Sequence, residues 1–470
     1  MIISKKLTFR AVAEIIGLII GAVSMIYISR IVGPEYVGLS ATTSALVFLI
    51  SRLADGGLTS LASQRLARDD DHLNTLLSVT LPPKIIVSAV LIALVMVISH
   101  VAHIDERLKY FIRISVFVVL FESCTPAWVF VALGKINLAS TIRISQALLY
   151  AVAIVFFVRG LDDWRYLPYL TLFNSAINFV IASIFLLYFK LVAFDATVFG
   201  NGYFARLKAF YKEGFNFLKA DLSVYVYTTS DRLILYYFTS PQVVGIYEAA
   251  YKIINPFYAI NSVITPTMFR DLAQSFKQNQ VAPVMAKYLF SMSILSIPVG
   301  FFLLYFAGPV IDILYGAKFA GSVPSLMVLG FVITFGFTSG IIVQPFAAWN
   351  MSKEYGSSIF WGNALNTALN FTLIPFMGAL GAAVATLAAK VIVTVVGYIY
   401  FRRVTDYPVI KDFSYFFAAS VIPLILVYMI SVASGNAFLL FVVYAVLYLS
   451  IVTIMYKTYF KAGLSRDAVS

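Results

Sequence analysis

Long apolar runs recur along the whole chain and are separated by short polar connections. A membrane-spanning helix needs about 20 mainly apolar residues, and about fourteen runs reach that length. The pattern therefore predicts an all-α polytopic membrane protein with an even number of spans, so that both ends lie on one side. The predicted spans, numbered 1 to 14 in chain order, are 11–31, 37–58, 79–101, 111–133, 138–158, 167–189, 217–238, 244–267, 288–307, 324–347, 355–376, 379–401, 413–433 and 437–456.

Composition indicates that the membrane is the solvent for this chain. Of its 470 residues, 61% are hydrophobic and 12% are charged, whereas a soluble domain carries roughly 25% charged residues. Cys124 is the single cysteine, which excludes an intramolecular disulfide, and three histidines offer little for metal chemistry. The chain has no Walker A loop, no GxSxG and no HExxH, so the common motif-bearing enzyme classes are not indicated.

The net charge of +12 does not indicate nucleic-acid binding, because the basic residues lie mostly in short loops between apolar runs. The N-terminus, the loops after even-numbered spans and the C-terminus hold roughly three times as many Lys and Arg residues as the opposite connections. This bias predicts that both termini are cytoplasmic. The basic residues of the opposite side are Arg30, Arg107, Lys109, Arg113, Arg159, Arg165 and Lys318.

Two short segments repeat at an offset of 207 residues. The segment RIVGPEYVGL, from Arg30, lies between spans 1 and 2, and YFTSPQVVGI, from Tyr237, lies between spans 7 and 8. Pro34 aligns with Pro241 and Gly38 with Gly245. Internal repeats of this kind are typical of alternating-access transporters, whose substrate site lies between the halves.

The same offset pairs Glu14 with Asp221, each near the cytoplasmic start of its half. The repeat predicts two six-helix lobes, spans 1 to 6 in residues 1–190 and spans 7 to 12 in residues 217–403. Residues 191–216 connect them as an amphipathic linker, which we expect along the cytoplasmic membrane face. Residues 404–470 add spans 13 and 14.

Three longer segments carry a family resemblance. They are SRIVGPEYVGLSATTSALVFLISRLADGGLTSLASQRLAR (29–68), DRLILYYFTSPQVVGIYEAAYKI (231–253) and NTALNFTLIPFMGALGAAVAT (366–386). In this order they resemble the first lobe, the start of the second lobe and the paired eleventh and twelfth helices of polysaccharide flippases. These flippases belong to the multidrug/oligosaccharidyl-lipid/polysaccharide (MOP) exporter superfamily.

The resemblance implies an O-antigen-type flippase of the bacterial inner membrane, a transporter and not an enzyme. Such proteins carry an undecaprenyl-diphosphate-linked oligosaccharide from the cytoplasmic to the periplasmic leaflet through a V-shaped, two-lobed body with a cationic cavity. The implied mechanism is alternating access without ATP hydrolysis or a cofactor, coupled to a proton or sodium gradient. The implied partners are membrane lipids, a polysaccharide polymerase and a chain-length regulator, with no nucleic acid, and the implied state is a monomer.

Basic residues inside or at the rims of spans are candidates for binding the lipid diphosphate. A charge within a span is costly unless it faces protein or water, and Arg binds phosphate groups through a planar fork of donors. Arg52, Arg232 and Lys252 are the first candidates. Arg30, Arg113 and Lys390 follow, although Arg30, Arg113 and Arg143 also fit helix-end residues that reach toward headgroups.

Acidic residues in the same helices are candidates for ion coupling, because a carboxylate in a partly dry cavity can take up a proton. Glu122 is the first candidate, since it lies near mid-span with no basic residue close in sequence. The others are Glu14, Asp221, Asp55 and Asp231. The alternative is neutralisation of a nearby base, which the spacings of Asp55 to Arg52, of Asp231 to Arg232 and of Glu248 to Lys252 also favour.

Two other functions remain open from the sequence. A cation-coupled multidrug exporter shares the superfamily fold, but such exporters usually have twelve spans and a less cationic cavity. A polytopic polysaccharide polymerase or glycosyltransferase is also basic and aromatic, but tends to need a sizeable external loop. The longest external connections here, around 102–110 and 308–323, are short.

Overall fold

The computed structural model describes residues 5–69, 71–191, 202–278, 280–431 and 437–455, with side chains from residue 16 onward except at 227, 259, 260, 262, 263, 266, 431, 437, 438, 441 and 455. Within these ranges the chain is all-α, with two short 3-10 turns at Leu161–Tyr166 and Ala317–Phe319. The helices are α1 (Lys5–Asp55), α2 (Leu58–Ala67), α3 (Leu73–Val101), α4 (Glu106–Ser115), α5 (Val118–Cys124), α6 (Ala127–Ala132), α7 (Ile136–Phe157), α8 (Leu167–Tyr188), α9 (Tyr203–Phe238), α10 (Pro241–Lys277), α11 (Val281–Tyr315), α12 (Ser322–Ala348), α13 (Ser352–Phe401), α14 (Val409–Ser431) and α15 (Ala437–Met455).

Within the described residues every predicted span except span 4 lies essentially on one helix or part of one, which confirms the all-α polytopic fold class. Spans 1 and 2 form the two parts of α1, which is broken at Gly33 with φ of 80°. Spans 11 and 12 form α13, which is broken at Gly378 with φ of 54°. Positive φ favours glycine, and Pro34 then starts the second part of α1 with its fixed φ. Span 4 is divided into α4, α5 and α6.

The outward faces of the helices are apolar. By length and composition, nine segments of the described chain are suited to cross a membrane, and α9 and α10 are not among them. On α3 an exposed stripe runs along one helical face, which is the surface that lipid covers in a spanning helix. Its members, each between 52% and 69% exposed, are Ile86, Val90, Leu94, Val97 and Val101.

The chain divides into two compact units, residues 1–248 (unit 1) and 249–470 (unit 2). The boundaries predicted from the repeat stay a prediction. In unit 1, α1 packs against α4, α5, α7 and α9. The core beneath α2 includes the fully buried side chains of Leu58, Leu76, Val129 and Phe130.

The predicted linker falls partly outside the described residues, which omit 192–201. Its described part, from Tyr203, is continuous with span 7 in the single helix α9. Its inner face packs on α2, where Phe210 is buried and Gly214 lies against Gly57. Arg65 of α2 also forms an ion pair with Glu213 at 2.6 Å. The segment is therefore joined to unit 1 by packing and charge.

The two repeated segments contact each other inside unit 1. A Cβ on Gly38 of α1 would overlap the backbone of Pro241 and Gly245 in α10, and a Cβ on Gly245 would overlap the backbone of Pro34. Each glycine thus touches the proline of the other copy. This reciprocity is what a local two-fold axis between equivalent segments produces.

In unit 2, α11, α12 and α13 pack side by side and α14 and α15 cover α11. Pro298 has no N–H, so the carbonyl of Ile294 lacks its normal donor within α11. The hydroxyl of Tyr448 on α15 donates to that carbonyl at 2.7 Å. Tyr444 donates to the carbonyl of Pro298 at 2.9 Å. The terminal helix is therefore fixed to α11 where a proline leaves its backbone unpaired.

The close contact of the repeats predicts opposite effects for the same substitution at different helical glycines. Gly38→Ala and Gly245→Ala should each lower the free energy of unfolding by about 1–3 kcal/mol, because the new methyl group meets backbone atoms. Gly21→Ala has open space around it and should be neutral or stabilising by up to about 1 kcal/mol. Thermal unfolding of the purified variants in detergent measures the difference, and equal melting temperatures for all three would contradict the contact.

Candidate functional site

Three groups of charged side chains in unit 1 contain residues that the sequence singled out, and the groups differ in their degree of pairing. The Arg52 cluster consists of Arg52, Glu122, Ser175 and Asp221. The Lys84 pair consists of Lys84 and Asp55, with Thr59 beside them. The Arg232 cluster consists of Asp231, Arg232, Tyr247 and Glu248. The degree to which each group is closed by ion pairs decides which one can meet a ligand.

Arg52 lies in the second part of α1, one turn after Phe48. Its guanidinium carbon lies 4.5 Å from the centroid of the Phe48 ring, a cation–π contact. Its Nε is buried and has no hydrogen-bond partner. Among the side chains that the structure describes, none forms an ion pair with Arg52. The charge is therefore held by an aromatic face and is not neutralised by a direct partner.

Glu122 lies near the end of α5, which stops at Cys124 because Thr125 and Pro126 interrupt the helix. The residue is exposed, although many protein atoms lie around its carboxylate. The carboxylate has Ser175 of α8 as its hydrogen-bond partner, and the charge of Arg52 acts on it through space. Glu122 is thus a carboxylate near a helix end that solvent can reach.

Asp221 lies on α9 and is partly exposed. The charge of Arg52 acts on it, and the charge of Asp55 opposes it. One turn further along α9, the ring of Tyr225 stacks on Phe48 at 5.9 Å between centroids. The Tyr225 hydroxyl is buried without a hydrogen-bond partner. The surroundings of Arg52 therefore include two carboxylates, a tyrosine hydroxyl and an aromatic face.

The Lys84 pair is closed. The Nζ of Lys84 on α3 lies 2.7 Å from Oδ1 of Asp55, and the two side chains are 3% and 6% exposed. Lys84 also donates to Oγ1 of Thr59 at 2.6 Å. Thr59 in turn donates to Asp55 from its backbone N–H and from its hydroxyl. Asp55 therefore pairs with Lys84 and not with Arg52.

The Arg232 cluster is also closed. Nε of Arg232 donates to Oε2 of Glu248 at 2.7 Å, and Nη1 of Arg232 donates to the carbonyl of Thr228 at 2.8 Å. Asp231 accepts from Nη1 of Arg232 at 3.3 Å and from the Tyr247 hydroxyl at 2.6 Å. Two buried carboxylates therefore enclose the Arg232 guanidinium, one of them its sequence neighbour Asp231. The assignment of Arg232 to substrate binding stays a prediction.

The other predicted residues are not members of these three groups. The side chain of Glu14 lies outside the described residues. Arg30 and Arg143 are exposed and Arg113 is partly exposed. In unit 2, Lys252 and Lys390 are partly exposed, and Nζ of Lys390 lies 5.9 Å from the ring centroid of Tyr258. Their assignment to substrate or ion stays a prediction.

Sequence reasoning missed Lys84, although it is a lysine inside predicted span 3. Its signal was its position after Pro82 and Pro83, within an apolar run, where a charge calls for an internal partner. No group of three His, Cys, Asp or Glu side chains within the described ranges is arranged to hold a metal ion.

Comparison with known families identifies the chain from its first half. Residues 3–271 match the family described as "Polysaccharide biosynthesis protein". The chain belongs to this family. The match covers α1 to α9 and most of α10, and therefore includes all three charged groups of unit 1. A search of curated proteins finds no significant match.

Solved structures of other proteins, some of them transporters of the MOP superfamily, share the fold of this family member. The structure titled "Lipid II flippase MurJ, inward closed conformation" matches with a TM-score of 0.78 at 16% identity, over 95% of this chain and 98% of that one. An inward-facing multidrug resistance MATE transporter matches at 0.58 and 13% identity, over 83% and 95%. A MOP-superfamily transporter from Pyrococcus furiosus matches at 0.54 and 14%, over 85% and 96%. The chain is therefore a multi-pass membrane protein with a transporter fold.

The pairing of the charged groups predicts different stability effects for two arginines. Arg232→Ala should lower the free energy of unfolding by about 3–5 kcal/mol, because two carboxylates remain buried without their base. Arg52→Ala should cost no more than about 1 kcal/mol, the scale of an exposed cation–π contact. Thermal unfolding in detergent checks both. A melting temperature that falls as far for Arg52→Ala as for Arg232→Ala would contradict the distinction.

Proposed function

We propose that this protein is a flippase that carries an undecaprenyl-diphosphate-linked oligosaccharide, an O-antigen repeat unit or a similar glycan, from the cytoplasmic to the periplasmic leaflet of the bacterial inner membrane. The observation that carries the proposal is Arg52, a cation without a direct ion-pair partner among the described side chains. Membership of the polysaccharide biosynthesis family supports the glycan. The likeness to a lipid II flippase supports a lipid-linked cargo.

The chemistry of the cargo fits the side chains around Arg52. A lipid diphosphate presents clustered anionic oxygens. A guanidinium binds such oxygens through parallel N–H···O hydrogen bonds, which are shorter and stronger than hydrogen bonds between neutral groups. Phe48 and Tyr225 add apolar ring surface and a hydroxyl without a partner, groups that suit the mixed polarity of a sugar. Arg52 is the residue that we expect to contact the diphosphate.

The two carboxylates supply a basis for ion coupling. When Glu122 and Asp221 are both ionised, they outweigh the single charge of Arg52 and repel a diphosphate. A proton or sodium ion at either carboxylate removes that repulsion, so ion binding and cargo binding are linked free energies. Alternating access, with the two repeats rearranging about their contact at Gly38 and Gly245, then moves the loaded site between the leaflets.

The excess of basic residues on one set of loops supports cytoplasmic N- and C-termini. We propose a polysaccharide polymerase and a chain-length regulator as the proteins that receive the product on the periplasmic side. These assignments rest on the family resemblance and on the charge bias together.

A cation-coupled multidrug exporter is the alternative function, and the likeness to MATE transporters favours it. The higher TM-score to the lipid II flippase and the polysaccharide family weigh toward the glycan. Arg52 distinguishes the two functions, because a guanidinium without an ion-pair partner attracts an anionic cargo and repels a cationic drug. A polymerase or glycosyltransferase ranks third, since a large external loop is missing from the sequence.

Arg52→Ala should abolish surface polysaccharide in a strain that depends on this gene, and should slow transbilayer movement of the lipid-linked oligosaccharide in proteoliposomes at least tenfold. Arg52→Lys should be intermediate, because an ammonium is a point charge without the planar fork. Arg159→Ala, at an exposed connection, is the matched control and should behave as the wild type. Wild-type transport by Arg52→Ala, with normal membrane levels, would contradict the assignment.

Glu122→Gln should remove the dependence of transport on an imposed ion gradient, because an amide cannot take up a proton and binds a cation weakly. Ser175, its hydrogen-bond partner, can still be satisfied by the amide, so the fold should be kept. Transport rates in proteoliposomes with and without a pH or sodium gradient measure the effect. A variant whose rate still rises with the gradient as in the wild type would move the coupling role to Asp221 or elsewhere.

A further inference from the structure

We propose that Lys84 is a positioning residue for Arg52: it holds Asp55 away from the guanidinium, so that Arg52 stays available to an anionic headgroup. The inference rests on the proposed function, because it concerns the binding of the diphosphate at the same site. It assigns a role to a side chain that touches no cargo.

The sequence by itself favours a pair between Asp55 and Arg52. They are three residues apart in α1, a spacing at which opposite charges on a helix meet. Such a pair would neutralise Arg52 and would place a carboxylate where the phosphate oxygens are expected to bind. An open Arg52 therefore requires that something else engages Asp55.

The turn after α1 provides the geometry for that engagement. Asp55 is the last residue of α1, and Gly56 and Gly57 follow with φ of 62° and 76°. These left-handed residues turn the chain sharply into α2. The backbone N–H and hydroxyl of Thr59 then reach back to the Asp55 carboxylate, whose oxygens therefore lie at the start of α2.

Lys84 completes the arrangement from a separate helix. Its Nζ lies 2.7 Å from Oδ1 of Asp55, and the hydroxyl of Thr59 accepts a second hydrogen bond from it. Both charged groups are nearly inaccessible, which removes competing water. The acid of this pair is then fully engaged on the side of α3, while the Nε of Arg52 stays without a partner.

A purely structural role is the competing explanation for the pair. A buried ion pair contributes little net stability, and apolar residues of similar volume often hold two helices as well. The charge itself therefore calls for a reason beyond packing. Asp55 acts electrostatically on Asp221, so the charge of Asp55 is felt by a member of the Arg52 cluster.

The test is a charge cycle read by ligand binding. The probe is undecaprenyl diphosphate, titrated against the full-length protein in detergent or nanodiscs. Lys84→Met leaves Asp55 without its base, and we expect Asp55 to turn to Arg52 and weaken binding about tenfold or more, which corresponds to about 1.4 kcal/mol. Asp55→Asn should bind as tightly as the wild type or tighter, and Asp55→Asn with Lys84→Met should bind within about threefold of the wild type.

The asymmetry between the single variants separates positioning from structure. If the pair only holds helices, the two single variants should lower the melting temperature alike, with an unchanged dissociation constant for the folded fraction, and that result would overturn the inference. Lys84→Gln keeps a hydrogen-bond donor for Asp55 without the charge. It carries the test if Lys84→Met does not fold, and it should also weaken binding.

Arg52→Ala is measured beside these variants so that the two proposals can fail separately. Wild-type affinity in Arg52→Ala would overturn the diphosphate site and with it the role of Lys84. Weak binding in Arg52→Ala together with wild-type affinity in Lys84→Met and Lys84→Gln would overturn the role of Lys84 alone. Weak binding in Arg52→Ala and Lys84→Met, restored by adding Asp55→Asn, is the expected result.

Discussion

The cost of placing charge in an apolar medium is the constraint on which this structure depends. An ionised side chain inside a membrane protein is tolerated when protein groups or water compensate it. Unit 1 meets this requirement in two ways. Arg232 and Lys84 are compensated by carboxylates within ion-pair distance, whereas Arg52 relies on a phenyl face and on carboxylates that act from further away. The closed groups pair their charges within the protein, whereas Arg52 has no direct ion-pair partner among the described side chains.

Helix geometry joins the open and closed groups into one assembly. Asp221 and Arg232 lie on the same helix α9, eleven residues or about 16 Å apart. Arg52 and Asp55 lie on the same helix α1, within one turn of its end. Because α1 and α9 pack along each other, a change in the position of α9 would alter the field at Arg52 and the closed cluster together. This arrangement offers a physical route from cargo binding to movement of a helix.

Much of the fold could be predicted from hydrophobic periodicity, because a span must be long and apolar whatever it contacts. Hydrophobic periodicity could not show that the helix breaks at Gly33 and at Gly378, because helix continuity across a short connection depends on backbone angles. For the charged residues, proximity in sequence succeeded for Asp231 with Arg232. It failed for Asp55, whose partner Lys84 comes from a different helix. Pairing across helices depends on tertiary packing, which spacing along one helix does not encode.

The reciprocal contact of Gly38 and Gly245 has a consequence for how this family evolves. Each glycine touches backbone atoms of the other segment and not a side chain, so no substitution on the partner can make room for a larger residue. Correlated changes between two positions require that one side chain can compensate for another. These two positions should therefore be nearly invariant and should show no covariation with each other. A contact at the centre of the two repeats would then be absent from a map built from covarying residue pairs.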